Sequence, residues 1–122
     1  MTPIAGVGVD AVDVERFRAT LDRRPRIADR LFTDAERAYA AGDCQRLAAR
    51  FAAKEATMKA LGAGIGSTGW RDVEVVRAPS GAPALELRAA AAARAERLGV
   101  ARWHVSLTHT PTVAVAVVVA EG

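Results

Sequence analysis

The sequence predicts an α+β fold, a small antiparallel sheet packed on a long central helix, in one domain spanning residues 1–122. Three observations lead there. Gln45 to Leu61 is alanine-rich, free of Gly and Pro, and stopped by Gly62, as a long helix should be. Trp103 to His109 and Val113 to Ala120 are strand-like runs joined at Thr110-Pro111-Thr112, which reads as a hairpin. Ile4 to Val9 opens the chain as a further short apolar strand.

Within that opening strand, Gly6 and Gly8 mark places where another element packs closely on the backbone. Asp10 is read as the strand's end. Val14, Phe17 and Leu21 then recur at helical spacing, and Asp22-Arg-Arg-Pro25 ends or breaks that helix. Thr33-Asp-Ala-Glu36 is a capping box, with Gly42 as a stop after a short helix. Gly62 to Gly69 is a glycine-rich loop. Asp72 to Arg77 reads as a strand, Pro79 to Pro83 as a turn, and Ala84 to Leu87 as the returning strand. Arg88 to Leu98 is a helix closed by Gly99. No repeat or linker interrupts this order.

At 122 residues the chain can bury one modest core, and it is short for an enzyme enclosing a large cofactor alone. Its net charge of +3 suits an anionic partner. Cys44 is the only cysteine, so no disulfide forms within the chain, which fits a cytoplasmic setting. No signal peptide is visible, and Val113 to Ala120 is too short to span a bilayer as a helix, so no membrane partner is expected. The basic surface would also suit nucleic acid. The chain lacks a recognisable nucleic-acid signature and has few aromatic side chains, so no nucleic-acid partner is expected.

On the central helix, Leu47, Phe51, Met58 and Leu61 form an apolar stripe; Lys54 falls within it and Glu55 at its edge. A charge there must be paired, coordinated or snorkelling, and Lys59 stands one turn beyond Glu55 as a possible ion-pair partner. Asp10 has two readings as well. It stands where a helix N-cap belongs, with Asp13 at N3, or it faces Glu55 across a metal. Magnesium takes one or two carboxylates and fills its other positions with waters and phosphates. A strand-end Asp opposite a helical Glu, with Arg50, Lys54 and Lys59 nearby, suits a metal-bound pyrophosphate. On the strand near the end, His104, Ser106 and Thr108 face one way; Val105, Leu107 and His109 face the other. Opposite parity disfavours a Ser106/His109 nucleophile pair.

Four segments in order, Gly6-Val-Gly-Val-Asp10, Arg50-Phe-Ala-Ala-Lys-Glu-Ala56 with Lys59, Gly62-Ala-Gly-Ile-Gly66, and His104-Val-Ser-Leu-Thr-His109, resemble the holo-[acyl-carrier-protein] synthase family of small 4′-phosphopantetheinyl transferases. The likeness covers nearly the whole chain. It implies that fold and a transfer of the 4′-phosphopantetheine arm from coenzyme A to a serine of an apo acyl carrier protein, releasing adenosine 3′,5′-bisphosphate. It implies Asp10 and Glu55 as magnesium ligands and Asp10, Glu55 and Lys59 as the catalytic set. Arg50 and Lys59 would meet coenzyme A phosphates, with Gly64 in the loop beside them and His109 near the cofactor phosphates. Gly81 and Pro83 would lie near the adenine, and Lys54 would help order the site. Arg16, Arg23 and Arg26 would contact the acidic carrier. The resemblance also implies homotrimers with active sites between subunits. A carrier of fatty-acid or polyketide synthesis would fit equally. A non-catalytic basic module binding coenzyme A, a carrier or nucleic acid is the alternative.

Overall fold

The computed structural model describes residues 2–64 and 66–122; Ile65, within the glycine-rich segment read above, lies outside them. The elements are β1 (Ile4–Asp13), α1 (Val14–Arg23), α2 (Ile27–Leu31), α3 (Asp34–Ala40), α4 (Cys44–Ala60), β2 (Val73–Arg77), β3 (Pro83–Leu87), α5 (Ala89–Arg97), β4 (Arg102–His109) and β5 (Val113–Glu121). A 3-10 turn, Trp70–Asp72, precedes β2.

The α+β expectation holds, with the strands divided between two antiparallel sheets. One has the order β1-β5-β4, and the other is the β2-β3 hairpin. Helix α4 lies against the inner face of the first sheet. Alanines 52, 53, 56 and 60 of the helix meet Ala116 and Val118 of β5 and Val75 of β2. Small side chains let the helix axis sit close to the sheet. The closest approach is at β1. A Cβ added to Gly6 or Gly8 would overlap the carbonyl oxygens of Ala60 and Ala56, so strand and helix meet backbone to backbone.

Four sequence expectations need correction. Asp10 does not end β1: the strand pairs with β5 through Asp10↔Ala116 and on to Asp13↔Val113. Nor is Asp10 a helix cap. Asp13 holds that place, its carboxylate accepting from the Arg16 N–H at 2.8 Å. Helix α2 is an addition: Pro25 suggests only a break, yet it stands just before the N-cap Arg26, and its carbonyl accepts from the Ala28 N–H in the turn that leads into the helix. Finally, α4 is buried on nearly every side rather than along one stripe, because sheet, hairpin and α1 surround it. The Thr33–Glu36 capping box is as expected, with both reciprocal bonds formed.

The sheet's outer face is different. Val7, Val9, Val113 and Val117 remain exposed there, Val7 at 60% and Val9 at 55%. Among the described residues no helix is long and apolar enough to cross a membrane.

Candidate active site

The structure brings Asp10 and Glu55 together. The glycines of β1 seat the strand on α4 at Ala60 and Ala56, and Asp10, two residues beyond Gly8, comes beside Glu55 and Lys59 of the helix. The two carboxyls are near enough for the Asp10 charge to act on Glu55. Burial first, and then the Asp10 charge, push the Glu55 carboxyl up to about 7. Lys59 completes the cluster. Its ammonium donates to the Asp10 carboxylate and to the Val9 carbonyl, at 3.0 and 3.1 Å. Lys59 thus pairs with Asp10 across the strand, not with Glu55 along the helix as the spacing had suggested. The one ammonium at the cluster is bonded to Asp10, and Glu55 is the acid whose pKa is raised.

Lys54, one residue earlier, has the opposite surroundings. It does not snorkel: its side chain is wholly enclosed. It pairs with Glu36 at 2.8 Å and donates to the carbonyls of Trp70 (3.0 Å) and Val73. Glu36 in turn accepts from the N–H groups of Thr33 and Val75. Thr33 donates to Glu74 at 2.6 Å, and Glu74 accepts from Arg88 at 2.8 Å. Burial lowers the Lys54 pKa, against the opposing pull of Glu36.

Two clefts flank α4. The larger, about 540 Å³, is lined by Glu55, Arg16 and Arg30, with Phe17, Phe51 and Trp70 among its apolar walls. Phe51 stacks on Phe17 and meets Trp70 at a tilt, with centroids 5.2 Å apart for Phe17–Phe51 and 5.1 Å for Phe51–Trp70. The second cleft, about 340 Å³, gathers Arg50, Gly81, Pro83 and His109, four of the residues expected at the cofactor. It adds three that the sequence reading missed: Tyr39, Arg46 and Arg77. The guanidinium groups of Arg50, Arg77 and Arg46 lie 4.1, 4.9 and 5.4 Å from the Tyr39 ring centre. Arg50 keeps a buried Nε with no hydrogen-bond partner, and burial lowers its pKa. Arg46 and Arg50 stand one helical turn apart, a signal the sequence did carry; Arg77 reaches them only through the hairpin. A cleft lined by three arginines and a histidine, and by no carboxylate, is suited to a phosphate dianion.

The remaining expected residues are dispersed. Gly64 lines a third hollow with Arg94 and Arg97 beside α5. Arg16 stands at the larger cleft, Arg23 lines a shallow hollow with Arg24, and Arg26 is exposed at the start of α2. Within one chain, then, the acid cluster and the arginine cleft are separate places, lined by different residues.

A family model described as the 4′-phosphopantetheinyl transferase superfamily matches residues 6–118. The chain belongs to the holo-[acyl-carrier-protein] synthase family. A relative from Frankia alni named holo-[acyl-carrier-protein] synthase is 59% identical over 118 residues, covering 97% of this chain and 98% of its own. One from Streptomyces avermitilis with the same name is 53% identical over 122 residues, with 98% of each chain covered. Among solved structures, the acyl carrier protein synthase of Mycobacterium tuberculosis is 37% identical with a TM-score of 0.77, covering 98% of this chain and 99% of that one. A Bacillus anthracis holo-(acyl-carrier-protein) synthase, solved with coenzyme A (3′,5′-ADP), is 33% identical with a TM-score of 0.80, covering 100% and 99%. The chain is accordingly an enzyme of the 4′-phosphopantetheinyl transferase class.

Proposed function

We propose that the enzyme transfers the 4′-phosphopantetheine arm of coenzyme A to a serine of an apo acyl carrier protein, releasing adenosine 3′,5′-bisphosphate, and depends on magnesium. The observation that carries this reading is the Asp10–Glu55 pair, two carboxyls from distant parts of the chain brought close enough to act on each other, with Lys59 bonded to Asp10.

The donor set fits magnesium. Burial first, and then the Asp10 charge, hold the Glu55 carboxyl up at about 7, and a divalent cation would relieve the repulsion between the two acids. Among the described residues no third His, Cys, Asp or Glu joins the two. That leaves positions for waters and phosphate oxygens, as magnesium prefers. Magnesium bound by Asp10 and Glu55 would neutralise charge developing on the phosphate oxygens.

The chain's own residues then divide the work. The carrier serine's oxygen forms its bond to the β-phosphorus, and the bond from that phosphorus to the bridging oxygen breaks with the bisphosphate. Lys59 is placed to meet the phosphates at the acid pair. A water held at Asp10 is the proposed acceptor of the serine proton. Catalysis here is largely positioning and charge neutralisation. Arg16 at the edge of the larger cleft, with Arg23 and Arg26 beyond it, offers positive charge to an acidic carrier, raising the association rate most at low salt.

The arginine cleft offers the 3′-phosphate and adenine a site through Arg50, His109, Gly81 and Pro83, but on a different part of the chain. One subunit's arginine cleft facing a neighbour's acid pair would complete the site, and the exposed valines of β1 and β5 supply an apolar face for such an assembly, a homotrimer.

Incubating the protein with coenzyme A, magnesium and apo carriers from fatty-acid and polyketide synthesis should yield a carrier heavier by one phosphopantetheine, read by mass spectrometry. Asp10→Ala and Glu55→Ala should each abolish the mass gain while keeping the native circular-dichroism spectrum. Full turnover in either variant would remove the metal assignment, and no gain with any carrier would remove the transferase reading.

A further inference from the structure

The end of α4 is tied to α5. Gly62, at φ +65°, donates to the Lys59 carbonyl, and Ala63 donates to the Met58 carbonyl, both at 3.0 Å. These two bonds close a helix through a left-handed glycine. They leave the carbonyls of Leu61 and Gly62 at the negative end of the helix. Arg94 of α5 meets both: its Nε donates to the Leu61 carbonyl at 2.8 Å and its Nη2 to the Gly62 carbonyl at 3.2 Å. Further along the loop, the Gly66 N–H donates to the Met58 sulfur at 3.2 Å. The glycine-rich segment is thus fastened at its start by a cation reaching from α5, and at Gly66 by a wholly buried side chain. Left to itself, such a segment would sample many conformations. The fastened joint directly follows Lys59, the cation of the acid cluster.

We propose that Arg94 is a positioning residue for the transfer: by holding the Leu61 and Gly62 carbonyls it keeps the joint between α4 and the glycine loop in one shape, so that Lys59 and the loop meet the coenzyme A pyrophosphate as a preformed surface. This rests on the transferase reading above. A ligand that must first order its own binding loop loses affinity by that ordering cost, so the benefit of the clamp falls on coenzyme A. The carrier, drawn to Arg16, Arg23 and Arg26, gains nothing from it. Arg94 acts through backbone carbonyls. Arg97, one turn further along α5, lines the same hollow with the same charge, but among the described residues only Arg94 bonds the joint.

Arg94→Met removes both bonds and keeps most of the aliphatic stem of a half-buried side chain, so the fold should survive. In the free protein, amide exchange followed by NMR should quicken about tenfold at Gly62, Ala63 and Gly66 while the sheet stays as in wild type. KM for coenzyme A should rise about tenfold, with kcat and the carrier KM within about twofold of wild type. Arg97→Met should change neither exchange nor kinetics. A raised KM with unchanged exchange would make Arg94 a direct phosphate ligand and overturn the positioning role. Equal effects from Arg97→Met would assign them to the charge of the hollow, and would overturn it as well. So would a lowered melting temperature with normal exchange and normal KM, which would leave Arg94 a structural residue alone. The exchange measurement needs neither coenzyme A nor turnover, so it reads the clamp separately from any failure of the transferase reading.

Discussion

Two adjacent residues of one helix, Lys54 and Glu55, sit in opposite electrostatic worlds. Lys54 is fully enclosed, yet its charge is met by Glu36 and by two carbonyls, and Glu36 is met in turn by two backbone N–H groups. Glu55 is less buried but stands against Asp10, a like charge, with Lys59 bonded to the other acid. Matched charge in the interior organises structure; like charge brought together at a cleft leaves an unmet demand for a cation. Burial alone would have pointed to the wrong member of the pair as the functional one.

The contrast predicts opposite signs for stability. Lys54→Met alone strands Glu36 in the interior without its cation, and should lower folding stability by about 3–5 kcal/mol. Glu55→Gln removes a repulsion and should leave stability unchanged or higher at pH 8. Urea denaturation of both variants measures this. A stable Lys54→Met protein, or an equally damaged Glu55→Gln, would break the distinction.

How much of this contrast is readable in the sequence depends on how local each signal is. The capping box at Thr33 and Glu36 is visible because its partners are three residues apart and its geometry is that of any helix start. The close approach at Gly6 and Gly8 is visible because side-chain-free positions in a strand have few other uses. That Glu36 also serves Lys54 is not visible, since the capping role already accounts for it and the pairing depends on how α3 crosses α4. The meeting of Asp10 with Glu55 came from resemblance; residue pattern alone favoured a cap, a place the strand's continued pairing with β5 gives to Asp13 instead. Tyr39 and its three arginines join residues from α3, α4 and β2, and only the packed structure assembles them.

A smaller stability effect, but a sharper one on the site, should come from Gly8→Ala. The added methyl has no room against the Ala56 carbonyl, so β1 must lift from α4. Overpacking of this kind costs about 1–3 kcal/mol. Asp10, two residues on, would lift with the strand. Transfer activity should therefore fall much further than the melting temperature suggests, as kinetics and calorimetry on the same sample would show. Loss of stability without loss of activity would mean that the two acids need no such close seating.

The smallest expected effect is a pH dependence, and its sign follows from the acid pair. Glu55 titrates near 7 in the folded protein and near 4.5 in an ordinary setting, so between those values the folded state binds the extra proton. Its contribution to stability is complete below about pH 4.5 and is lost as pH rises through 7. Wild type should therefore lose melting temperature relative to Glu55→Gln across that window, with the two curves running parallel above it. Magnesium competes with the same proton, so its apparent affinity should rise as pH passes 7, and it should raise the wild-type melting temperature more at pH 8 than at pH 6. Glu55→Gln should lose most of that magnesium response at both pH values. Lys54→Met/Glu36→Gln should keep it, because Lys54 and Glu36 bond to each other and to backbone groups rather than to the acids the cation answers. A magnesium response that is equal at both pH values would show that no proton stands between the cation and Glu55.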